Sequence, residues 1–162
     1  MSARVPITYR AATPDDWPGI RALLQSCELP LAGVEDPVAD FVVAAELAGV
    51  VGCVGIERHG IDALLRSCAV AGQHRGQGIG IALTEQAIAL AKAMGIRHLV
   101  LLTTTAENFF PRFGFSRIRR EQVPVSLRDA EEIRNACPAK RGSGSGCKEI
   151  CRLHRRRSIG RN

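Results

Sequence analysis

Three closely spaced glycines stand between two apolar segments of the chain. Gly76, Gly78 and Gly80 follow the apolar residues 63–70 and open a longer apolar segment, 79–94, which Gly95 closes. The order strand, glycine loop, helix suits a pyrophosphate, because such glycines let backbone N–H groups turn inward and the helix dipole adds partial positive charge. The spacing therefore predicts a site for a cofactor with a nucleotide tail.

Two common phosphate-binding patterns do not fit this loop. The dinucleotide fingerprint GxGxxG or GxGxxA would need glycine or alanine where Ile81 or Leu83 stands. It also needs an acidic residue about 20 positions further on, at the end of the next strand, where this chain has three threonines. The pattern GxxxxGK[ST] fails as well, because no lysine follows a loop glycine. An ordinary tight turn before a helix is the remaining alternative.

The loop resembles the acetyl-coenzyme A signature QxxGxG/A of the GNAT superfamily, carried here by Gln73, Gly76 and Gly78. The order of elements in residues 65–115 is similar too, from the hydrophobic pair Ala69-Val70 to the closing Gly114-Phe115. Within that superfamily the chain resembles the arsenic-operon N-acetyltransferases and the acetyltransferase domain of bacterial N-acetylglutamate synthases. The resemblance covers residues 4–137.

This resemblance implies an α/β (α+β) GNAT fold, a mixed central sheet of six or seven strands with helices on both faces. It implies a GNAT domain over 1–137, followed by a divergent basic tail, 138–162, that contains glycine and serine. The implied activity is acetyl-CoA-dependent transfer of an acetyl group to a primary amine of a small molecule, either an amino acid or an arsenic- or phosphorus-containing analogue. A non-catalytic acetyl-CoA-binding module, protein acetylation and a homodimer stay open.

The resemblance also implies how acetyl-CoA is held. The loop amides would bind the pyrophosphate, and a splay between the two central strands would expose backbone to the pantetheine amides. The Val70 N–H would polarise the thioester carbonyl and hold the oxyanion of the tetrahedral intermediate. The residues expected at the cofactor are Cys68, Ala69, Val70, Gln73, Arg75, Gly76, Gln77, Gly78, Ile79, Gly80 and Phe110.

Proton transfer has less support in the sequence. Many GNAT enzymes place a tyrosine four residues before the glycine of Gly-Phe, and that position is Phe110 here. The sole tyrosine, Tyr9, lies on the first predicted strand. A thiol with a pKa of about 8.5 leaves tolerably without an acid, so we expect a loss of rate and no change of mechanism. Glu57 and Glu107 are the candidate bases, although either can be a surface carboxylate.

Arg66 is the candidate anchor for a carboxylate-bearing acceptor. A guanidinium binds both oxygens of a carboxylate in one plane, and a charge inside an apolar strand is costly without a partner. The alternative is an edge-facing arginine whose stem packs on the sheet. Substrate contacts are also expected from Thr103, Thr104 and Thr105, although threonine is common in strands. His74, within the loop, is expected to face solvent.

Composition favours a cytoplasmic protein of one domain. The chain has 162 residues, 46% of them apolar, with no apolar stretch long enough to span a membrane and no signal peptide pattern. Residues 1–137 carry 14 basic and 15 acidic side chains, so the net charge of +6 comes from the tail and no nucleic-acid partner is predicted. The six cysteines are expected to be free thiols. No metal site is predicted, since the arrangement Cys147, Cys151 and His154 matches no familiar zinc spacing.

Hydrophobic periodicity locates the remaining elements. It predicts a strand at 5–10, a helix that begins near Thr13, and a meander of three strands. Beyond the long helix it predicts a strand parallel to 63–70. The GNAT resemblance implies that a short helix at 107–113 follows. The predicted strands after the first one are 41–45, 50–56, 62–70, 97–104 and 116–121, with 148–154 a weak candidate for the last.

Overall fold

The computed structural model describes residues 4–31, 39–103, 109–135 and 148–154. These residues form seven strands and four α-helices. The strands are β1 (Thr8–Ala11), β2 (Ala39–Glu46), β3 (Gly49–His59), β4 (Asp62–Val70), β5 (His98–Thr103), β6 (Phe115–Arg117) and β7 (Glu149–Leu153). The helices are α1 (Trp17–Ser26), α2 (Ile79–Ala93), α3 (Val125–Arg128) and α4 (Glu131–Asn135).

The strands form one mixed sheet in the order β1-β2-β3-β4-β5-β7-β6. All neighbouring pairs are antiparallel except β4 and β5, which are parallel and joined through α2. The predicted mixed sheet is confirmed, as is the parallel crossover after the glycine loop. The carboxyl ends of β4 and β5 therefore lie together at one edge, beside the first turn of α2.

Helices cover both faces of the sheet, as predicted. On one face, α2 packs through Leu83, Ala87 and Ala91 against alternate residues of β2 to β5. On the other face, α1 buries Ile20, Leu23 and Leu24 against β2 and β3. Leu127 of α3 and Ile133 of α4 pack on that second face too, over β4 and β5. The three α1 side chains form one apolar stripe, because they recur at helical spacing.

Three element boundaries differ from the sequence prediction. The first strand begins at Thr8, and the strand expected over 116–121 ends at Arg117, before a 3₁₀ helix at Arg120–Gln122. Of the short helix expected over 107–113, the described part is a 3₁₀ helix, Phe110–Phe113. The weak candidate 148–154 does form a strand, β7. The division at residue 137 stays a prediction, although β7 lies beyond it and joins the sheet.

In the described ranges no helix is long and apolar enough to cross a membrane.

Candidate active site

The two central strands part halfway along their length. β4 and β5 pair from Asp62–His98 to Leu65–Leu101, and no pairing follows beyond that point in the described residues. A β-bulge in β4 accompanies the separation, because Arg66 faces Gly55 and Ala69 faces Cys53, which leaves β4 one residue longer than β3 here. The backbone of β4 after Leu65 is therefore exposed toward β5, which is the splay that the GNAT resemblance implied.

A cavity of about 340 Å³ occupies this gap. Its walls come from both strands, from the end of α1, from the 3₁₀ helix at Phe110 and from α4. The lining residues are Leu29, Pro30, Leu65, Arg66, Ser67, Cys68, Leu101, Leu102, Thr103, Phe109, Phe110, Glu132 and Lys148. The cavity thus brings together the predicted residues Arg66, Cys68, Thr103 and Phe110.

The N–H of Val70 points into the gap. The next residue, Ala71, donates its N–H to Val51 O of β3 at 2.8 Å. Backbone groups alternate in direction along a strand, so the N–H and C=O of Val70 face away from β3. Consistent with this, Val70 O accepts from Arg75 Nε at 3.2 Å and lies 3.8 Å from Cys27 Sγ. An N–H that donates to an acyl oxygen in the gap needs this direction. That the Val70 N–H makes this hydrogen bond stays a prediction.

The glycine loop leads from this strand end into α2. Gly76 and Gly78 have φ values of +79° and +81°, and a Cβ built on either meets no atom within 4 Å. Gly78 precedes α2, whose N-terminus has no side-chain cap within the described residues. The first amides of α2 have no acceptor within the helix, and the positive end of the helix dipole lies there. Gln73, Arg75 and Gln77 are exposed around this loop.

The loop fits a pyrophosphate on these observations. Ile79 is buried and fixes the first turn of α2 on the sheet. A Cβ built on Gly80 would lie 3.7 Å from the ring of Phe109 and 3.8 Å from a methyl group of Val70. The first turn of α2 therefore runs close to the gap. Ala69, on the opposite side of β4, is buried against α1.

The expectation that His74 faces solvent is wrong, because its side chain is 15% exposed with Nε2 3.3 Å from Glu46 Oε2.

Arg66 is buried, and carboxylates surround its guanidinium. Its side chain is 6% exposed, with Nη1 2.9 Å from Glu57 Oε2 and Nη2 3.4 Å from Glu132 Oε1. Glu57 also lies 2.8 Å from His59 Nε2. The partner that a buried arginine requires is therefore supplied twice from within the chain. Glu57 is not among the described residues that line the cavity, whereas Arg66 and Glu132 are.

The thiols near the cavity are held in their protonated form. Burial raises the pKa of Cys68 to about 11, although a hydrogen bond with Thr84 lowers it. Burial also raises the pKa of Cys53 to about 12, with a further contribution from the neighbouring Cys68 and Cys27. Neither side chain is a thiolate at neutral pH, so neither is an activated nucleophile.

Phe110 occupies the position where a tyrosine would supply an acid. Its ring lines the cavity and packs edge-to-face on Phe109 and Phe115, with centroids 5.0 and 5.8 Å apart. Tyr9 lies on β1 and lines a different cavity, beside Glu46 and His74. The tyrosine hydroxyl is therefore away from the gap.

Some predicted residues fall outside the described ranges: Thr104, Thr105, Glu107, Cys137 and Cys147. The four described cysteines, Cys27, Cys53, Cys68 and Cys151, are free thiols. Within the described ranges no three His, Cys, Asp or Glu side chains are grouped to hold a metal ion. Glu132, Lys148 and Phe109 line the cavity without having been predicted, and only the aromatic Phe109, next to Phe110, carried a local signal.

The family model described as "Acetyltransferase (GNAT) domain" matches residues 37–117, which contain the parted strands, the glycine loop and α2. The chain belongs to the GNAT acetyltransferase family. It is 31% identical over 138 residues to an amino-acid acetyltransferase of Mycobacterium tuberculosis, covering 79% of this chain and 77% of the relative.

Other relatives match over shorter shares of their length. An uncharacterized N-acetyltransferase of Chlorobaculum tepidum is 34% identical over 91 residues, 56% of this chain and 58% of the relative. The crystal structure of N-acetylglutamate synthase from Neisseria gonorrhoeae, complexed with coenzyme A and N-acetyl-glutamate, has a TM-score of 0.72 at 22% identity. That match covers 94% of this chain and 36% of the synthase, and it shows that the two share a fold.

Proposed function

We propose that this GNAT enzyme transfers the acetyl group of acetyl-CoA directly to a primary amine of a small molecule, an amino acid or an amino-acid analogue. The observation that carries the proposal is the gap between β4 and β5. It places an outward-facing backbone N–H, at Val70, next to an open loop of amides at the start of α2. Acetyl-CoA is the co-substrate that the family implies, and it supplies an activated acetyl thioester.

The chain's own groups divide the binding of this co-substrate. The amides from Gly76 to Gly80 and the dipole of α2 would hold the pyrophosphate. The exposed edge of β4 offers backbone hydrogen bonds to the amides of the pantetheine arm. The N–H of Val70 would donate to the acyl oxygen, where negative charge grows during acyl transfer. Phe109 and Phe110 give the cavity an apolar wall.

Direct transfer is favoured over an acyl-enzyme. Cys68 is the cysteine that lines the cavity, and its pKa of about 11 leaves it protonated at neutral pH. A protonated thiol attacks a thioester poorly. The acceptor amine is then the nucleophile, and Glu57 and Glu107 stay the candidate bases that receive its proton.

The acceptor end of the cavity favours a substrate with a carboxylate. Arg66 and Lys148 line the cavity together with Glu132, and a guanidinium can bind both oxygens of an acceptor carboxylate, which a simple amine lacks. The names of the M. tuberculosis and N. gonorrhoeae relatives point to the same class.

The free thiols Cys27, Cys53, Cys68 and Cys151 are those of a protein in a reducing compartment, so we place the enzyme in the cytoplasm.

A non-catalytic acetyl-CoA-binding module is the second candidate. Phe110 favours it, because the cavity wall carries a ring without a hydroxyl where many relatives have a general acid. Such a module would bind acetyl-CoA through the same loop and strand edge.

Two measurements on the full chain test these proposals. We expect acetyl-CoA to raise the melting temperature and to give a calorimetric binding signal. We also expect thiol release when free amino acids and their arsenic- or phosphorus-containing analogues are screened, with polyamines, aminoglycosides and peptides as controls. Absence of acetyl-CoA binding would refute the co-substrate, and binding without thiol release from any amine would identify the non-catalytic module.

A further inference from the structure

The acceptor end of the cavity contains an ion pair that belongs wholly to the protein. Three charged residues are found among the described lining residues: Arg66, Glu132 and Lys148. Of the two carboxylates paired with Arg66, Glu132 is among the described residues that line the cavity and Glu57 is not. The cavity side of Arg66 is thus where the carboxylate of an acceptor would approach, and Glu132 already lies there.

The two carboxylates hold Arg66 unequally. Glu57 is on the long central strand β3, and its two oxygens are fixed by Arg66 at 2.9 Å and by His59 at 2.8 Å. Glu132 is on α4, a helix of five residues, and its contact with Arg66 is 3.4 Å, longer than a good charged hydrogen bond. Of the two, Glu132 is the carboxylate that can leave Arg66 at lower cost.

We propose that Glu132 occupies the place of the acceptor's carboxylate and is displaced by it. The inference rests on the proposed function, because it assumes an acceptor with a carboxylate. Exchange of one carboxylate for another keeps two carboxylates beside the buried guanidinium, Glu57 and either Glu132 or the acceptor, so the charge balance at Arg66 is the same with and without the acceptor. An amine without a carboxylate cannot make this exchange, so Glu132 is a specificity-determining residue.

A purely structural role would have different consequences. Glu132 could tie α4 to the sheet through Arg66, in the way that Leu127 and Ile133 hold α3 and α4 on β4 and β5. Loss of such a tie would lower thermal stability and change the binding of all acceptors alike. Displacement predicts instead that loss of the Glu132 charge improves the binding of acids alone.

The test compares Glu132→Gln with Glu131→Gln, a matched control on the exposed side of the same helix. The two ligands are the best amino-acid acceptor from the screen and its primary carboxamide, which keeps the amine and the size but lacks the charge. We expect Glu132→Gln to lower KM for the acid about threefold to fivefold, the range of a partly exposed ion pair, and to leave KM for the amide unchanged. Arg66→Ala should raise KM for the acid and abolish the effect of Glu132→Gln.

A binding measurement separates this inference from the proposed function. Free glutamate is titrated calorimetrically, whatever the outcome of the screen, into protein saturated with coenzyme A, where no turnover occurs, and Glu132→Gln should bind it about threefold to fivefold more tightly than the unaltered protein. Tighter acid binding without acetylation of any amine would support the displacement and refute the enzyme. Normal acetylation with equal changes for acid and amide, or with a lower melting temperature alone, would overturn the displacement and leave the enzyme standing.

Discussion

Ser67 is the residue at which the backbone of β4 changes direction. It has a φ of +54°, which is uncommon for a residue with a side chain, and its carbonyl oxygen accepts a hydrogen bond from Cys53 Sγ at 3.3 Å. The bulge lies between Arg66 and Ala69, just after the pairing of β4 with β5 ends at Leu65, and a bulge of this kind bends its strand. A single strained residue thereby opens the gap on which the proposed chemistry depends.

The pairing of Arg66 shows what a sequence can reveal about a residue. A charge inside an apolar strand predicts that a partner exists, and this expectation needs no structure. The identity of that partner does not follow, because Glu57 approaches from the adjacent strand and Glu132 from a helix 66 positions later in the chain. The Ser67 bulge was equally beyond prediction, because serine carries no preference for positive φ.

The loop glycines provide the prediction at this scale. Gly78 has a φ of +81°, and an alanine there would be strained by about 1–2 kcal/mol although its Cβ has room. Relief of that strain would rotate the first amides of α2, so we expect Gly78→Ala to weaken acetyl-CoA binding at least about tenfold. Gly72→Ala is the control, because its Cβ also meets no atom and its φ is not positive. Calorimetric titration of both variants measures the difference, and equal affinities would contradict the role of the loop.

At the scale of elements, local signals predicted most of the fold. The apolar runs of β3 and β4 and the glycine that follows α2 each lie within, or next to, the element they define. The short helices α3 and α4 were not predicted, because helices of four and five residues contain too few turns for a periodic stripe. Tertiary packing on β4 and β5 stabilises them instead.

The link between β1 and α1 gives a prediction that depends on pH. Arg10 of β1 hydrogen-bonds both oxygens of Asp16, at 2.6 and 2.9 Å, and holds its pKa at about 2, below the ordinary value of 3.8. A lowered pKa means that the pair contributes fully above about pH 4 and is lost as the pH falls toward 2. Arg10 is 41% exposed, so solvent screening keeps the contribution small.

We expect Asp16→Asn to lower the melting temperature at pH 7 by about 2–4 °C, the shift that about 1 kcal/mol causes in a chain of this size. The deficit should shrink between pH 4 and pH 2, where the native carboxyl is protonated as well. Asp15→Asn, at the exposed neighbouring position, is the matched control. Melting curves from pH 7 to pH 2 measure the difference, and a deficit that does not change with pH would exclude the ion pair as its cause.

At the scale of the whole molecule, the last described strand joins two parts of the sheet. β7 lies between β5 and β6 and pairs with both, so within the described residues it is the sole link between β6 and the rest of the sheet. Ile150 and Cys151 of β7 point to opposite faces of the sheet, and each is 8% exposed. Ile150 packs among the residues under α3 and α4, and Cys151 packs on the side of α2. The strand therefore contributes to both layers of the core.

A chain that ends at Cys147 lacks β7 and tests this contribution. Removal of the buried Ile150 side chain alone should cost about 2–5 kcal/mol, and the lost pairing with β5 and β6 adds to that. We expect the melting temperature to fall by at least about 10 °C, since each kcal/mol corresponds to about 2–4 °C. A chain that ends at His154 retains every described residue and is the matched control for the removal of β7. Equal melting temperatures for the two truncations would show that β7 is dispensable, and the sheet would then be stable with β5 as its edge.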